Sequence, residues 1–272
     1  MKNKITLLAL ATILSSTAFA QEMGGPPPRA EGAGMYGNYV NRIRFGAFIA
    51  PNISWMHPTA NKSDDGQYNV ASDGSKVGFT YGLMAEYFFA PNYGIVTGID
   101  INSTGGKIIA TAVNQTPAAN KVSLANFDYR LQFIEIPIAL KLKTDNFGGF
   151  RFFGQLGLSA GINIGKKVDY TVDYYDENGN AMPAATGSKI KLTGGLGAIA
   201  PVMLQMNIGA GAEYPISNKL TAYAGLFFNN GFTPDATAPQ KYDSEKLGYG
   251  KGEFKDGNTR LNNFALRVGL FF

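Results

Sequence analysis

The sequence predicts an all-β fold, an eight-stranded antiparallel up-and-down β-barrel that crosses a membrane. Three observations predict it. The C-terminal segment alternates strictly, with Phe264, Leu266, Val268, Leu270 and Phe272 on one face and Asn263, Ala265, Arg267 and Gly269 on the other. Successive side chains of a strand point to opposite sides, so this is a strand with one apolar and one small or charged face. A chain that finishes on such a strand is expected to close a ring, because no tail follows to cover an open edge. The N-terminus reads as a secretion signal: Lys2 and Lys4, an apolar run from Ile5 to Leu14, then Ala18-Phe19-Ala20 before Gln21. Beyond it no run of eighteen apolar residues occurs, which excludes a spanning helix and leaves a closed sheet as the way to cross lipid.

Composition agrees. The 34 Gly, 19 Phe and 14 Tyr among few charged residues suit a tight interior and aromatic girdles. With no Cys there is neither a disulfide framework nor a lipid anchor at the cleavage site. The net charge of +4 is modest and scattered, so no nucleic-acid partner is expected.

Residues 1–20 read as the signal peptide. Residues 21–40, with Gly24-Gly25-Pro26-Pro27-Pro28, read as a flexible periplasmic leader, and 41–272 as the barrel. The first strand, about Arg42 to Trp55, presents Ile43, Phe45, Ala47, Ile49, Ile53 and Trp55 on one face. The second, about Lys76 to Phe89, sets Val77, Phe79, Tyr81, Leu83, Ala85, Tyr87 and Phe89 against Thr80, Gly82 and Glu86. In the third, Tyr93 to Ser103, Ile95, Ile99 and Ile101 oppose Gly98, Asp100 and Asn102. The fourth, Phe127 to Lys143, opposes Ile134, Ile136, Ile138, Leu140 and Leu142 to Glu135, Ala139 and Lys141. Its start breaks phase, because Leu131 and Phe133 fall on the Glu135 face; a bulge near Gln132 or an extracellular extension accounts for that. The fifth covers Phe150 to Ile164, with Arg151, Gln155 and Ser159 inward, and the sixth Val202 to Tyr214, with Gln205, Asn207 and Glu213 inward. The seventh, Lys219 to Asn229, is ambiguous in face, and the terminal segment is the eighth.

Connections near residues 90–94, 144–149 and 215–218 are short, whereas those near 57–75, 104–126, 165–200 and 230–261 are long and polar. Short periplasmic turns alternating with long outer loops is the outer-membrane pattern, and an even strand number puts both termini in the periplasm. Alternation alone also fits a soluble barrel with its apolar faces inward. The Gly, Ser, Asn and isolated charges of the second face favour the membrane, since a soluble surface carries more Lys and Glu.

The segment Phe133-Ile134-Glu135-Ile136-Pro137-Ile138-Ala139-Leu140-Lys141 resembles the aromatic-Leu-Glu-Ile-Pro-Leu-x-x-Lys signature of the PorT-like outer-membrane barrels of Bacteroidota. Phe89-Ala90-Pro91-Asn92-Tyr93, Asn102 to Lys107, Gly154-Gln155-Leu156-Gly157 and Leu266 to Phe272 are similar to further parts of that family. The resemblance implies an eight-stranded barrel in the bacterial outer membrane. It also implies a link, through the family's namesake, to type IX secretion. Activity does not transfer with the fold.

The inward charges Arg42, Arg44, Glu86, Asp100, Glu135, Lys141, Arg151, Glu213 and Arg267 nearly balance. Eight strands enclose a space that side chains just fill, so these groups are expected to pair there, unpaired burial being very costly. A narrow conducting path along them is the functional alternative. Trp55, Tyr87, Phe89, Tyr93, Phe150, Tyr214 and Phe272 read as membrane-interface aromatics. His57 with Ser54, Ser103 or Asp100 is the only arrangement resembling an outer-leaflet lipid enzyme, and no spacing compels it, so no catalytic residue is expected. Asp173, Asp176, Glu177, Asn178 and Asn180 read as a hairpin turn, the spacing being wrong for calcium. No metal or cofactor is expected. The long loops carry Tyr170, Tyr174, Tyr175, Tyr242 and Tyr249, residues favoured at contact surfaces. The expected partners are outer-membrane lipid, the barrel-assembly machinery through the C-terminal strand, and another envelope or secretion-system protein.

Overall fold

The computed structural model describes residues 43–59, 68–113, 121–191, 199–233, 242–243, 253–254 and 259–272. The expected signal peptide and leader, Arg42 and Tyr249 lie outside the described residues. The strands are β1 (Ile43–Pro58), β2 (Tyr68–Ser72), β3 (Ser75–Ala90), β4 (Tyr93–Ala112), β5 (Val122–Lys143) and β6 (Arg151–Tyr175). They continue with β7 (Ala181–Lys191), β8 (Val202–Pro215), β9 (Thr221–Gly231), β10 (Tyr242–Asp243), β11 (Glu253–Phe254) and β12 (Thr259–Phe271). Hydrogen bonding runs β4-β3-β1-β12-β9-β8-β6-β5, and β5 pairs back onto β4, so this path of eight strands closes on itself. Every neighbouring pair on it is antiparallel.

The alternation in the sequence decides which face turns inward. Ile43, Phe45, Ile49 and Ile53 of β1 are exposed, while Phe48, Ala50, Asn52 and Ser54 are buried. The face of β9, undecided in the sequence, resolves with Tyr223, Phe227 and Asn229 inside and Leu226 outside. At one end the links are tight. Ala90 pairs with Tyr93, and Phe147 bridges Phe150 across Gly148 and Gly149, whose φ of 61° and 90° suit glycine.

Proline leaves two gaps in the wall. The β4–β5 ladder steps from Thr97↔Ile138 to Asp100↔Glu135 in unchanged register, missing the pairs around Pro137, which has no N–H to give. The outward Thr97 hydroxyl donates to the Pro137 carbonyl at 2.9 Å and so satisfies the group the gap leaves. The β1–β12 ladder likewise steps from Ile49↔Val268 to Asn52↔Ala265 beside Pro51.

At the other end β4, β5 and β6 run on past the closed ring, and β2 and β7 pair with β4 and β6. Much of what the sequence offers as polar loops near 104–126 and 165–200 is therefore sheet. The phase change at Leu131 goes with the second of the two expected causes, an extension of the sheet past the ring, and not with a bulge in β5 itself. From Leu124 onward β5 keeps its alternation, with Phe127, Tyr129, Leu131, Phe133 and Glu135 all buried. The extra residue is Ile164 of β6, because Gln132 pairs with Gly165 and Phe133 with Asn163. Below it Phe153, Gln155 and Ser159 face inward; above it Val168, Tyr170, Val172 and Tyr174 do. A one-residue insertion exchanges the two faces of a strand.

The buried face thus changes character along the strands. The ring end is lined by polar and charged groups with a small aromatic cluster of Phe48, Phe153, Tyr223, Phe227 and Phe271. The extended end encloses an apolar cluster built on Met56, Tyr68, Val70, Ile108, Phe127, Tyr129, Leu131, Phe133, Val168 and Val172.

Candidate functional site

The inward charges come together near the tight-turn end. Lys141 Nζ lies 2.5 Å from Glu86 Oε1 and 2.6 Å from Glu213 Oε1, and Arg44 reaches the same two carboxylates at 2.5 and 2.9 Å. Lys143 joins at 3.4 Å from Glu213. Four strands supply these groups, and the alternation of each one aims its member inward. Lys141, Glu86 and Glu213 are only 1–2 % exposed, so taking these charges out of water is costly and their pairing must offset the cost. Aromatic rings add to the cations' support: Lys141 Nζ sits 4.3 Å from the Phe153 centroid, and Arg44 lies 4.3 Å from that of Phe271.

A polar hoop lies one level further in. Asn52 donates to Thr80 at 3.0 Å, Thr80 to Asn102 at 3.0 Å, and Asn102 to Glu135 at 2.7 Å. Gln205 donates to the other oxygen of Glu135 at 2.7 Å. Asn207 donates to Ser159 at 3.3 Å and to Asn229 at 2.9 Å, and Asn229 to Asn263 at 2.7 Å. Every strand of the ring contributes to these bonds, β8 with both Gln205 and Asn207. Arg267 stands 3.8 Å from Asp100, with its guanidinium 4.1 and 4.4 Å from the rings of Phe48 and Phe227. The void among Asp100, Glu135, Asn207 and Arg267 is about 10 Å³, space for about one water.

Of the nine predicted interior charges, of which Arg42 lies outside the described residues, seven stand in these two layers: Arg44, Glu86, Asp100, Glu135, Lys141, Glu213 and Arg267. Arg151 does not: as the first residue of β6 it is exposed, because a long side chain at a strand end reaches water. Sequence reasoning left Asn52, Asn229 and Lys143 out of the network. Their signal is parity, since each sits on the inward face of its strand. The aromatics Tyr87, Phe89, Tyr93, Phe150, Tyr214 and Phe272 are exposed on the outer face, most of them beside the tight turns. Trp55 packs against Phe264 and Phe228 near the opposite rim.

The contact tyrosines need correction. Tyr170 and Tyr174 are buried, not displayed, because the β6 bulge turns them onto the apolar cluster. Burial pushes the Tyr174 hydroxyl up to about 12. Tyr175 is half-buried at the strand end, and Tyr242 lies in the β10–β11 pair. His57 and Ser54 point to opposite sides of β1, the former exposed and the latter buried against Gly105, while Asp100 is in the ring interior, so no triad forms. Asp176 accepts from the backbone N–H of Asn178 and Asn180 at 2.9 and 2.7 Å and makes the β6–β7 hairpin turn. Among the described residues no group of three or more His, Cys, Asp or Glu could hold a metal.

A closed antiparallel sheet, apolar outside and polar with ion pairs inside, defines a β-barrel membrane protein. The chain belongs to the outer membrane protein beta-barrel domain family, whose model matches residues 19–237, and the bacterial outer membrane is its place. Among solved structures it is similar to Neisserial surface protein A, at 14% identity over 85% of this chain and 98% of that one, with a TM-score of 0.39. It is also similar to Ail, the attachment invasion locus protein of Yersinia pestis (12% identity, 85% and 97% covered, TM-score 0.34). The outer membrane protease OmpT from Escherichia coli matches at 10% identity, with 86% and 97% covered and a TM-score of 0.33. A comparison with curated proteins finds no match.

Proposed function

We propose that the closed path is an eight-stranded transmembrane barrel with both termini in the periplasm. It neither conducts nor catalyses, and it holds an extracellular β-sheet out to another envelope protein. The observation that carries this reading is the inversion of polarity along β4, β5 and β6. Lipid solvates an apolar exterior, so within the membrane the interior is free to be polar. In water the hydrophobic effect demands the reverse, at about 1.5–3 kcal/mol for each large side chain fully buried. On β5, Ile134, Ile136, Ile138, Leu140 and Leu142 face out below, and Asp128 and Arg130 face out above, while Glu135 and Lys141 are inside below and Phe127 and Tyr129 inside above. From Ile43 to Trp55 the apolar face of β1 rises about 30 Å at the usual rise and tilt, enough to cross a bilayer core.

Ion cluster, polar hoop and apolar cap fill the ring in three successive layers, which speaks against a pore. The sheet beyond the ring, built from the ends of β4, β5 and β6 with β2 and β7, supplies the surface for a partner. The motif from Phe133 to Lys141 supports a PorT-like barrel, and with it a partner belonging to a secretion apparatus. Photo-cross-linking from Thr171, Thr186 and Ser188, exposed on the sheet, tests the partner in intact cells. A reproducible adduct is expected at these positions and not at lipid-facing Ile138; no adduct from any of them would sink the reading.

A further inference from the structure

Just past the apolar belt, the outer face of β4, β5 and β6 becomes basic. Paired residues in adjacent strands share a face, so the outer surface can be read row by row. Ile101, Ile134 and Ile162 form the last row of isoleucines. Ser103, Gln132 and Gly165 form the next row, then Gly105, Arg130 and Lys167, then Lys107, Asp128 and Asp169. Lys76 crosses this surface, its stem over Gly105 and its ammonium paired with Asp128. Arg130 pairs with Asp169, whose carboxyl is held below the usual range chiefly by the Lys189 amide and less by Arg130. With Asp73, whose amide bonds the Lys107 carbonyl across the end of the β2–β4 ladder, three acids face four bases. Among the described residues Lys107 and Lys167 have no acidic partner, and Arg130 keeps 41% of its side chain exposed.

The height of this patch identifies what it meets. Arg130 lies four residues beyond Ile134 on β5. That is about 13 Å along a strand and about 10 Å along the membrane normal at the usual tilt. The headgroup layer extends roughly 5–8 Å beyond the hydrocarbon on each side, and Lys and Arg stems let the charge reach down into it. A guanidinium flanked by ammonium groups suits phosphate oxygens, which it can bind with two parallel hydrogen bonds.

We propose that Arg130, Lys167 and Lys107 form a docking site for the phosphorylated headgroup of an outer-leaflet glycolipid, which seats the barrel at a fixed depth. This rests on the transmembrane reading, which heat-modifiable gel migration tests separately. The experiment is native mass spectrometry of the full mature protein in detergent micelles, titrated with diphosphorylated lipid A or with the same lipid stripped of phosphate. Retention of the phosphorylated form should be about tenfold higher, as expected for charge-assisted pairing. The Lys107→Glu/Lys167→Glu variant should lose most of that preference while keeping the wild-type heat shift. If it loses the shift, Lys107→Gln/Lys167→Gln takes its place with the same expectation. Equal retention of the two lipids would overturn the proposal. So would an unchanged preference in the folded variant, or displacement of the lipid by millimolar inorganic phosphate, which would mark a general anion site.

Discussion

Lys141 shows how a single inward position acts in this interior. Its ammonium bridges two carboxylates from opposite parts of the wall and rests on an aromatic ring. Lys141→Ala leaves Glu86 and Glu213 short of a cation, and breaking a buried pair in this way costs about 3–5 kcal/mol. Urea unfolding in micelles, followed by fluorescence of Trp55, the sole tryptophan, should show that loss. Combining Lys141→Met with Glu86→Gln should recover part of it. Tyr174 is the opposite case: its hydroxyl is buried with no hydrogen-bond partner among the described residues, so Tyr174→Phe should leave stability unchanged or slightly raised. At this scale the sequence is readable where a residue sits mid-strand, because parity alone places Glu135 and Arg267 inside. It misleads where parity is reset or a strand ends. Arg151 escapes to water at a terminus, and Tyr170 reads as a loop residue because its apolar neighbours Tyr68 and Phe127 lie far away in the chain.

Ile164 governs the element that carries it. One extra residue in β6 lets a strand with a polar inner face in the ring continue with an apolar inner face in the extension. Inserting one more residue just after Ile164, with the bulge held at one residue, should turn Lys167 and Asp169 inward and Val168 and Tyr170 outward, which no neighbouring strand can accommodate. The expected outcome is an extension open to limited proteolysis between residues 165 and 191 above a ring that still migrates anomalously until boiled. Loss of both together would mean that the two levels fold as one unit. Sequence periodicity locates a disturbance near Gln132 but assigns it to the wrong strand, since Gly165, Lys166 and Lys167 carry no apolar alternation to mark the reset. The tight turns were legible from Pro91-Asn92 and Gly148-Gly149. The extension was legible only as one of two explanations for Leu131 and Phe133, because its strands are polar on the face that meets water and so resemble loops.

For the whole molecule the prediction is a barrel that is plugged at three levels. Planar bilayers should therefore show no stepwise conductance, either from the native protein or from Arg267→Ala, which empties only the middle layer. Steps in the native protein would restore the pore reading. An antiparallel all-β sheet was foreseeable from the alternating strands and the connections between them; the polarity inversion was visible only in the anomaly at Leu131 and Phe133. That inversion is the central claim, and spin-label accessibility along β5 in lipid tests it most directly. The chain has no Cys, so single cysteines at successive positions from 126 to 142 can be labelled cleanly. Labels at Ile134, Ile136, Ile138 and Leu140 should meet oxygen dissolved in lipid. Those at Asp128 and Arg130 should meet a water-soluble nickel complex, and the odd-numbered positions should meet neither. Nickel access at Ile136 and Ile138 would contradict the account, placing the apolar face in water and the protein outside the bilayer.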